Sequence, residues 1–132
     1  MLAAAAASLG ASYAGWLGGR AYGPVARISA RAFTDLLGLQ VLIGLVLYAV
    51  SPLVRTGLGD LGGAMAVREL RFFSVEHIAG MLIAMTLAHV GAVRIRRAPT
   101  DEVKLRHAAI WNTGTVAVIL ASIPWWRPLL RT

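Results

Sequence analysis

The sequence predicts an all-α integral membrane protein, an antiparallel bundle of four transmembrane helices. Three observations predict it. The chain is 58% hydrophobic with a mean hydropathy of +0.68, above what soluble domains show. Only 14% of its residues are charged, and these cluster between apolar runs. Four such runs come close to the roughly 20 helical residues that cross a hydrocarbon core.

The first run, 1–19, carries no charge and is rich in alanine and glycine. It lacks the basic segment that opens a signal peptide, so it is read as a retained helix. Ala3, Ala7, Ala11, Gly15 and Gly19 recur every fourth residue, a ridge on which another helix backbone packs closely. The second run, 34–54, is preceded by Pro24, a residue suited to a first helical turn and so to an earlier start. Arg27, Arg31 and Asp35 follow at four-residue spacing as a polar stripe in which Arg31 and Asp35 are placed to pair. Ser51-Pro52 marks the far end.

The third run is 72–93. The fourth, 108–126, ends in Pro124-Trp125-Trp126, where tryptophans suit a membrane interface. The glycine-rich stretch 57–64 between the second and third runs is expected to be irregular. Short connections make sequential helices antiparallel neighbours.

Orientation follows from lysine and arginine. One side holds Arg20, Arg27, Arg31, Arg94, Arg96, Arg97, Lys104 and Arg106; the other holds Arg55, Arg68, Arg71, Arg127 and Arg131. Eight against five puts the first group in the cytoplasm and both termini outside. The net charge of +7 is therefore read as a topology signal and not as a nucleic-acid surface. The cluster Arg94, Arg96 and Arg97 attracts anionic lipid headgroups, although topology alone accounts for it.

The absence of cysteine excludes disulfides, iron–sulfur clusters and thiolate metal sites. No phosphate-cradling loop, zinc-protease motif or nucleophile triad appears, so no catalytic activity is expected. The informative groups are Glu76, His77, His89 and His107, since an ionisable residue within a span is costly. Glu76 lies near the outer end, within reach of Arg55, Arg68 or Arg71. His77 suits either a ligand to haem iron or chlorophyll magnesium, or a hydrogen bond between helices. Met81 and Met85 continue its face and suit packing.

His77 and His89 cannot hold one haem together, because twelve helical residues separate them by about 18 Å and about 120°. His89 and His107, near the same membrane face, form the one intrachain bis-histidine pairing the sequence allows. Gln40 and Asn112 suit helix-to-helix hydrogen bonds, with a quinone carbonyl as the alternative partner.

The strings LQVLIGLVLYAVSP (39–52), RFFSVEH (71–77), MLIA (81–84) and IPW (123–125) occur in this order. Together they resemble a family of small bacterial four-helix membrane proteins often labelled cytochrome b-like, over residues 33–126. The resemblance implies a bacterial inner-membrane location and a link to electron transport. It also implies a histidine early in the first helix, where Ser12 and Tyr13 stand, and another where Gly38 stands; only His77 matches.

The expectation is thus a non-catalytic accessory subunit of a larger respiratory or photosynthetic membrane complex, its partners being other membrane subunits and lipids. Arg71, Glu76 and Gln40 would serve as structural polar contacts. The alternatives are a b-type cytochrome exchanging electrons with quinone through His77 or the His89–His107 pair, and a chlorophyll-binding subunit with His77 as axial ligand.

Overall fold

A computed structural model describes residues 1–127 of the chain, and the Arg131 of the charge count lies outside them. The described residues are all-α, without a strand. Helices α1 (Leu2–Leu17), α2 (Pro24–Val50), α6 (His77–Arg97) and α7 (Asp101–Ala121) are long; α3 (Pro52–Gly59), α4 (Leu61–Ala66) and α5 (Arg68–Arg71) are short. A π-helical turn, Phe72–Glu76, joins α5 to α6.

Each long helix packs on two others, giving a ring in the order α1, α2, α6, α7 and back to α1. Residue pairs across the seams run in opposite directions. Ser8 meets Asn112 and Gly15 meets Leu105 between α1 and α7, while Gly80 meets Ser122 and Gly91 meets Trp111 between α6 and the end of α7. The main core joins Ala5 of α1, Phe33, Leu37 and Val41 of α2, Met81, Ala84 and Ala88 of α6, and Ile119 of α7. Phe33, Leu37, Ala84 and Ala88 are fully enclosed, and burying one large apolar side chain contributes about 1.5–3 kcal/mol.

Local chemistry sets the boundaries, and several differ from the sequence expectation. The second helix starts ten residues before position 34, because Pro24 sits in its first turn after Gly23. It stops at Val50: Ser51 is extended, its hydroxyl accepts the Val54 N–H at 3.4 Å, and Pro52 opens α3. The stretch expected to be irregular is helical for most of its length. Asp60 breaks it into α3 and α4, its carboxylate accepting the Gly63 N–H at 2.9 Å. The fourth helix starts at Asp101, where Thr100 caps the Val103 N–H at 3.3 Å and Asp101 and Glu102 complement the helix dipole.

Among the described residues two stretches, not four, are long and apolar enough by themselves to cross a membrane. They are Pro24–Val50, of 27 residues with mean hydropathy 1.9, and Arg68–Arg97, of 30 residues with mean hydropathy 1.7. Helix α1 has 16 residues, about 24 Å of rise. Helix α7 spends its first two turns on Asp101, Glu102, Lys104 and Arg106.

The expected ridge on α1 is also displaced. The buried face is Ala5, Ser8, Ser12 and Gly15, with Ala3 and Ala7 exposed. A strict four-residue repeat drifts by about 40° per step, so five such positions cannot share one face. Alternating three- and four-residue steps hold the face and turn two serines inward.

Candidate functional site

The two ends of the bundle carry different chemistry. At one end the π turn delivers His77 to the junction of three elements. The His77 N–H, five residues on, bonds to the Phe72 carbonyl, and the widened turn buries Phe72 and Ser74. The Tyr48 hydroxyl of α2 donates to the Ser74 carbonyl at 2.7 Å, and Gly57 of α3 lies so close that a Cβ there would overlap the Ser74 hydroxyl. π turns of this kind recur at functional sites in proteins.

His77 Nδ1 lies 2.8 Å from the Ser122 carbonyl oxygen. A carbonyl only accepts, so Nδ1 carries the proton and the neutral ring's Nε2 keeps a lone pair. Phe72 flanks the imidazole at 5.6 Å between ring centroids, and Phe73 at 6.3 Å. His77 also lines a mainly apolar groove of about 460 Å³ between α2 and α6, with Gln40, Gly44, Tyr48, Met81 and Arg127 on its walls. Gln40 is exposed there, and Met81 belongs to the core.

Around this end runs a set of ion and π contacts. Arg71 Nε donates to Glu76 at 2.6 Å and Arg71 Nη1 to the Met65 carbonyl at 3.1 Å. Arg127 pairs with Glu69 and stacks 4.9 Å from the Phe73 ring centre. Arg68 lies 4.0 Å over Trp126, whose ring meets Phe72 edge-on at 4.7 Å. Of the three arginines in reach by sequence, Glu76 takes Arg71. Arg55 instead turns back to the Ala49 carbonyl in the last turn of α2.

At the other end, a second groove of about 520 Å³ also opens along the α2–α6 seam. Arg27, Arg31, Asp35, His89 and Arg96 line it, with Tyr22 from the α1–α2 connection and buried Thr34 and Asn112. Arg31 and Asp35 pair at 3.5 Å.

His89 is exposed, and its Nδ1 lies 2.9 Å from the Met85 carbonyl of its own helix. His107 does not line this groove, and its Nδ1 is buried without a partner among the described residues. The two histidines share neither a hydrogen bond nor a groove among the described residues, and Gly91 faces α7, where Trp111 packs on it. No group of three or more histidine, aspartate or glutamate side chains converges as a metal site among the described residues.

The donor set therefore decides which groups fit. One imidazole with a fixed tautomer and a free Nε2 suits a single axial ligand, and a backbone carbonyl is a usual second partner for a ligating histidine. Met81 lies one turn along on the same helix and packs into the core, so His77 is the residue that would hold such a group. Each groove is lined by one histidine among the described residues.

Asn112 donates from Nδ2 to the Ser8 hydroxyl at 2.8 Å across the α1–α7 seam, both groups buried. Ser122, Ser74, Tyr48 and Tyr22 were not singled out by sequence. Backbone carbonyls are the partners in two of these contacts, Tyr48 with Ser74 and His77 with Ser122, and a carbonyl leaves no mark on residue identity. Comparison of the chain with known families, curated proteins and solved structures finds no match.

Proposed function

We propose that this chain is a small non-catalytic accessory subunit of a larger redox complex in a bacterial inner membrane, crossing it four times with both termini outside. One observation carries the membrane part. The apolar window of α2 is only 17% buried, and Leu39, Leu42, Ile43, Val46, Leu47 and Val50 are all exposed. A soluble monomer rarely exposes so extended an apolar surface, whereas lipid or neighbouring membrane subunits cover it without cost. Helices α1 and α7, short of a full span in isolation, are read as crossing because they close the ring with α2 and α6. The redox assignment draws on His77, held at the α2–α6 groove, and on the resemblance of 39–52 and 71–77 to cytochrome b-like proteins.

The test is to wash the host membranes with carbonate, extract them in mild detergent and resolve the extract on a native gel. The expected result is a carbonate-resistant protein that migrates with redox subunits and brings no chromophore of its own. A carbonate-soluble protein overturns the membrane assignment, and one that migrates alone overturns the accessory role.

The fixed tautomer of His77 favours a second reading, in which Nε2 is the single axial ligand of a haem b or chlorophyll. Such a group would bring its own colour and redox or light chemistry, while the chain would supply the ligand, its orientation through Ser122, and an apolar wall. An absorption band lost in His77→Ala but kept in His89→Ala supports this reading over the first.

A further inference from the structure

We propose that the basic groove between α2 and α6 holds the phosphate headgroup of an acidic membrane phospholipid, an inference that rests on the membrane reading above. Three guanidiniums, Arg27, Arg31 and Arg96, line the groove against one carboxylate, Asp35. Asp35 pairs with Arg31, so among the described residues Arg27 and Arg96 have no carboxylate partner. A concave site with two unspent guanidiniums selects an anion, and arginine matches the oxygens of a phosphate with paired N–H donors.

The rest of the lining suits a headgroup. Tyr22 covers the groove from the α1–α2 connection, and Lys104 of α7 lies 5.9 Å from its ring centre. Burial raises the Tyr22 pKa, with Arg27 opposing, so its hydroxyl stays a protonated donor at neutral pH. Ala92, Val93 and Ile95 supply an apolar wall.

What distinguishes a lipid from free phosphate is the surface alongside. Directly beyond Asp35, the exposed apolar face of α2 begins at Leu36 and Leu39 and runs on to Val50. Acyl chains attached to a phosphate between Arg27 and Arg96 would lie along that face. Basic pockets between spans on the cytoplasmic side are where acidic lipids bind. The positive residues of this groove belong to the side assigned to the cytoplasm.

The full chain, purified in a nonionic detergent, is titrated with phosphatidylglycerol, with phosphatidylcholine and with inorganic phosphate, and bound lipid is read by native mass spectrometry. Phosphatidylglycerol is expected to bind, phosphatidylcholine at least about tenfold more weakly, and millimolar phosphate to displace neither. The double variant Arg27→Gln/Arg96→Gln is expected to lose about tenfold or more in affinity. Arg94→Gln/Arg97→Gln removes the same charge from the same end of the bundle outside the groove and is expected to stay within about twofold.

Equal losses in the two double variants overturn the site in favour of a diffuse surface field. Displacement by inorganic phosphate overturns the lipid in favour of the free ion. If Arg27→Gln/Arg96→Gln does not fold, Asp35→Asn serves instead: it frees Arg31 and is expected to tighten binding several-fold, and unchanged binding overturns the proposal. Failure of the membrane reading is separate, since it shows as carbonate solubility whatever the lipid titration gives.

Discussion

His77 Nδ1 lies 2.8 Å from the carbonyl oxygen of Ser122, so the first residue of α6 is tied to the residue that closes α7. The bond joins positions 45 apart in sequence and fixes the imidazole tautomer. It also anchors the chain ahead of Trp125 and Trp126, which pack back on Leu120 and Phe72. His77→Ala removes both the bond and the contact with two phenylalanine rings. A loss of about 1–3 kcal/mol is expected, read from thermal or denaturant unfolding in detergent. His77→Gln keeps a donor that can reach Ser122 and should recover part of it. A variant as stable as the wild type would show that the bond adds nothing.

The Ser8–Asn112 pair makes a different kind of prediction, because both partners are enclosed. Truncating Asn112 leaves the Ser8 hydroxyl without its donor, beside Ser12, whose hydroxyl already lacks a partner among the described residues. Hydrogen bonds between helices in lipid contribute about 0.6 kcal/mol on average and rarely exceed about 1.7. The cycle of Ser8→Ala, Asn112→Ala and the double variant should give a coupling of about 0.5–1.5 kcal/mol. Additive losses would mean that the two side chains merely fill space.

Exposure sets the expectation for Arg71 and Glu76. Their side chains are 40% and 48% exposed, so water and salt screen the pair despite its 2.6 Å separation. Glu76→Gln is expected to cost under about 1 kcal/mol, with the difference fading at high salt. A loss of several kcal/mol that salt leaves intact would point to a buried role for Glu76.

The same contrasts explain how much the sequence disclosed. The apolar runs were legible because their length and composition are local, and the Arg31–Asp35 pair because four-residue spacing on a helix makes neighbours. The early starts of α2 and α7 were signalled by Pro24 and by Thr100 with Asp101 and Glu102, but a search for apolar runs passes over charged first turns. The partner of His77 was not legible, since a backbone carbonyl has no sequence identity. Nor was Ser8 with Asn112, 104 positions apart, or the α2–α6 seam as the place where both grooves open. The π turn was hidden too, because its register depends on Tyr48 and Gly57 arriving from other helices.

The chain has no cysteine, so single introduced cysteines report topology cleanly. Lys104 at the start of α7 belongs to the side assigned to the cytoplasm, and Asp60 between α3 and α4 to the opposite side. In intact spheroplasts, Asp60→Cys should react with a membrane-impermeant maleimide, and Lys104→Cys should react only after lysis. The reverse pattern would invert the orientation and move the basic groove to the outer face. Equal labelling of both before lysis would remove the four-span topology.

Glycine substitutions probe the packing most directly, because the seams differ in how closely the backbones approach. A Cβ at Gly91 would sit 2.6 Å from the Trp111 Cβ, an atom fixed to the α7 backbone that no rotamer change can move. A Cβ at Gly44, on the wall of the His77 groove, would meet nothing within 4 Å. Gly91→Ala must therefore push α6 and α7 apart, an overpacking cost of about 1–3 kcal/mol. Gly44→Ala gains helix propensity without a clash and should be neutral or stabilising by up to about 1 kcal/mol. Both alanines raise helix propensity alike, so the difference between the two variants isolates the close approach at the α6–α7 seam. Equal stabilities would show that α6 and α7 are not packed backbone to backbone at Gly91. Gly44→Phe extends the test, since it fills the groove beside His77. If Nε2 holds a haem or chlorophyll there, the absorption band should fall with this substitution while helix content measured by circular dichroism is unchanged.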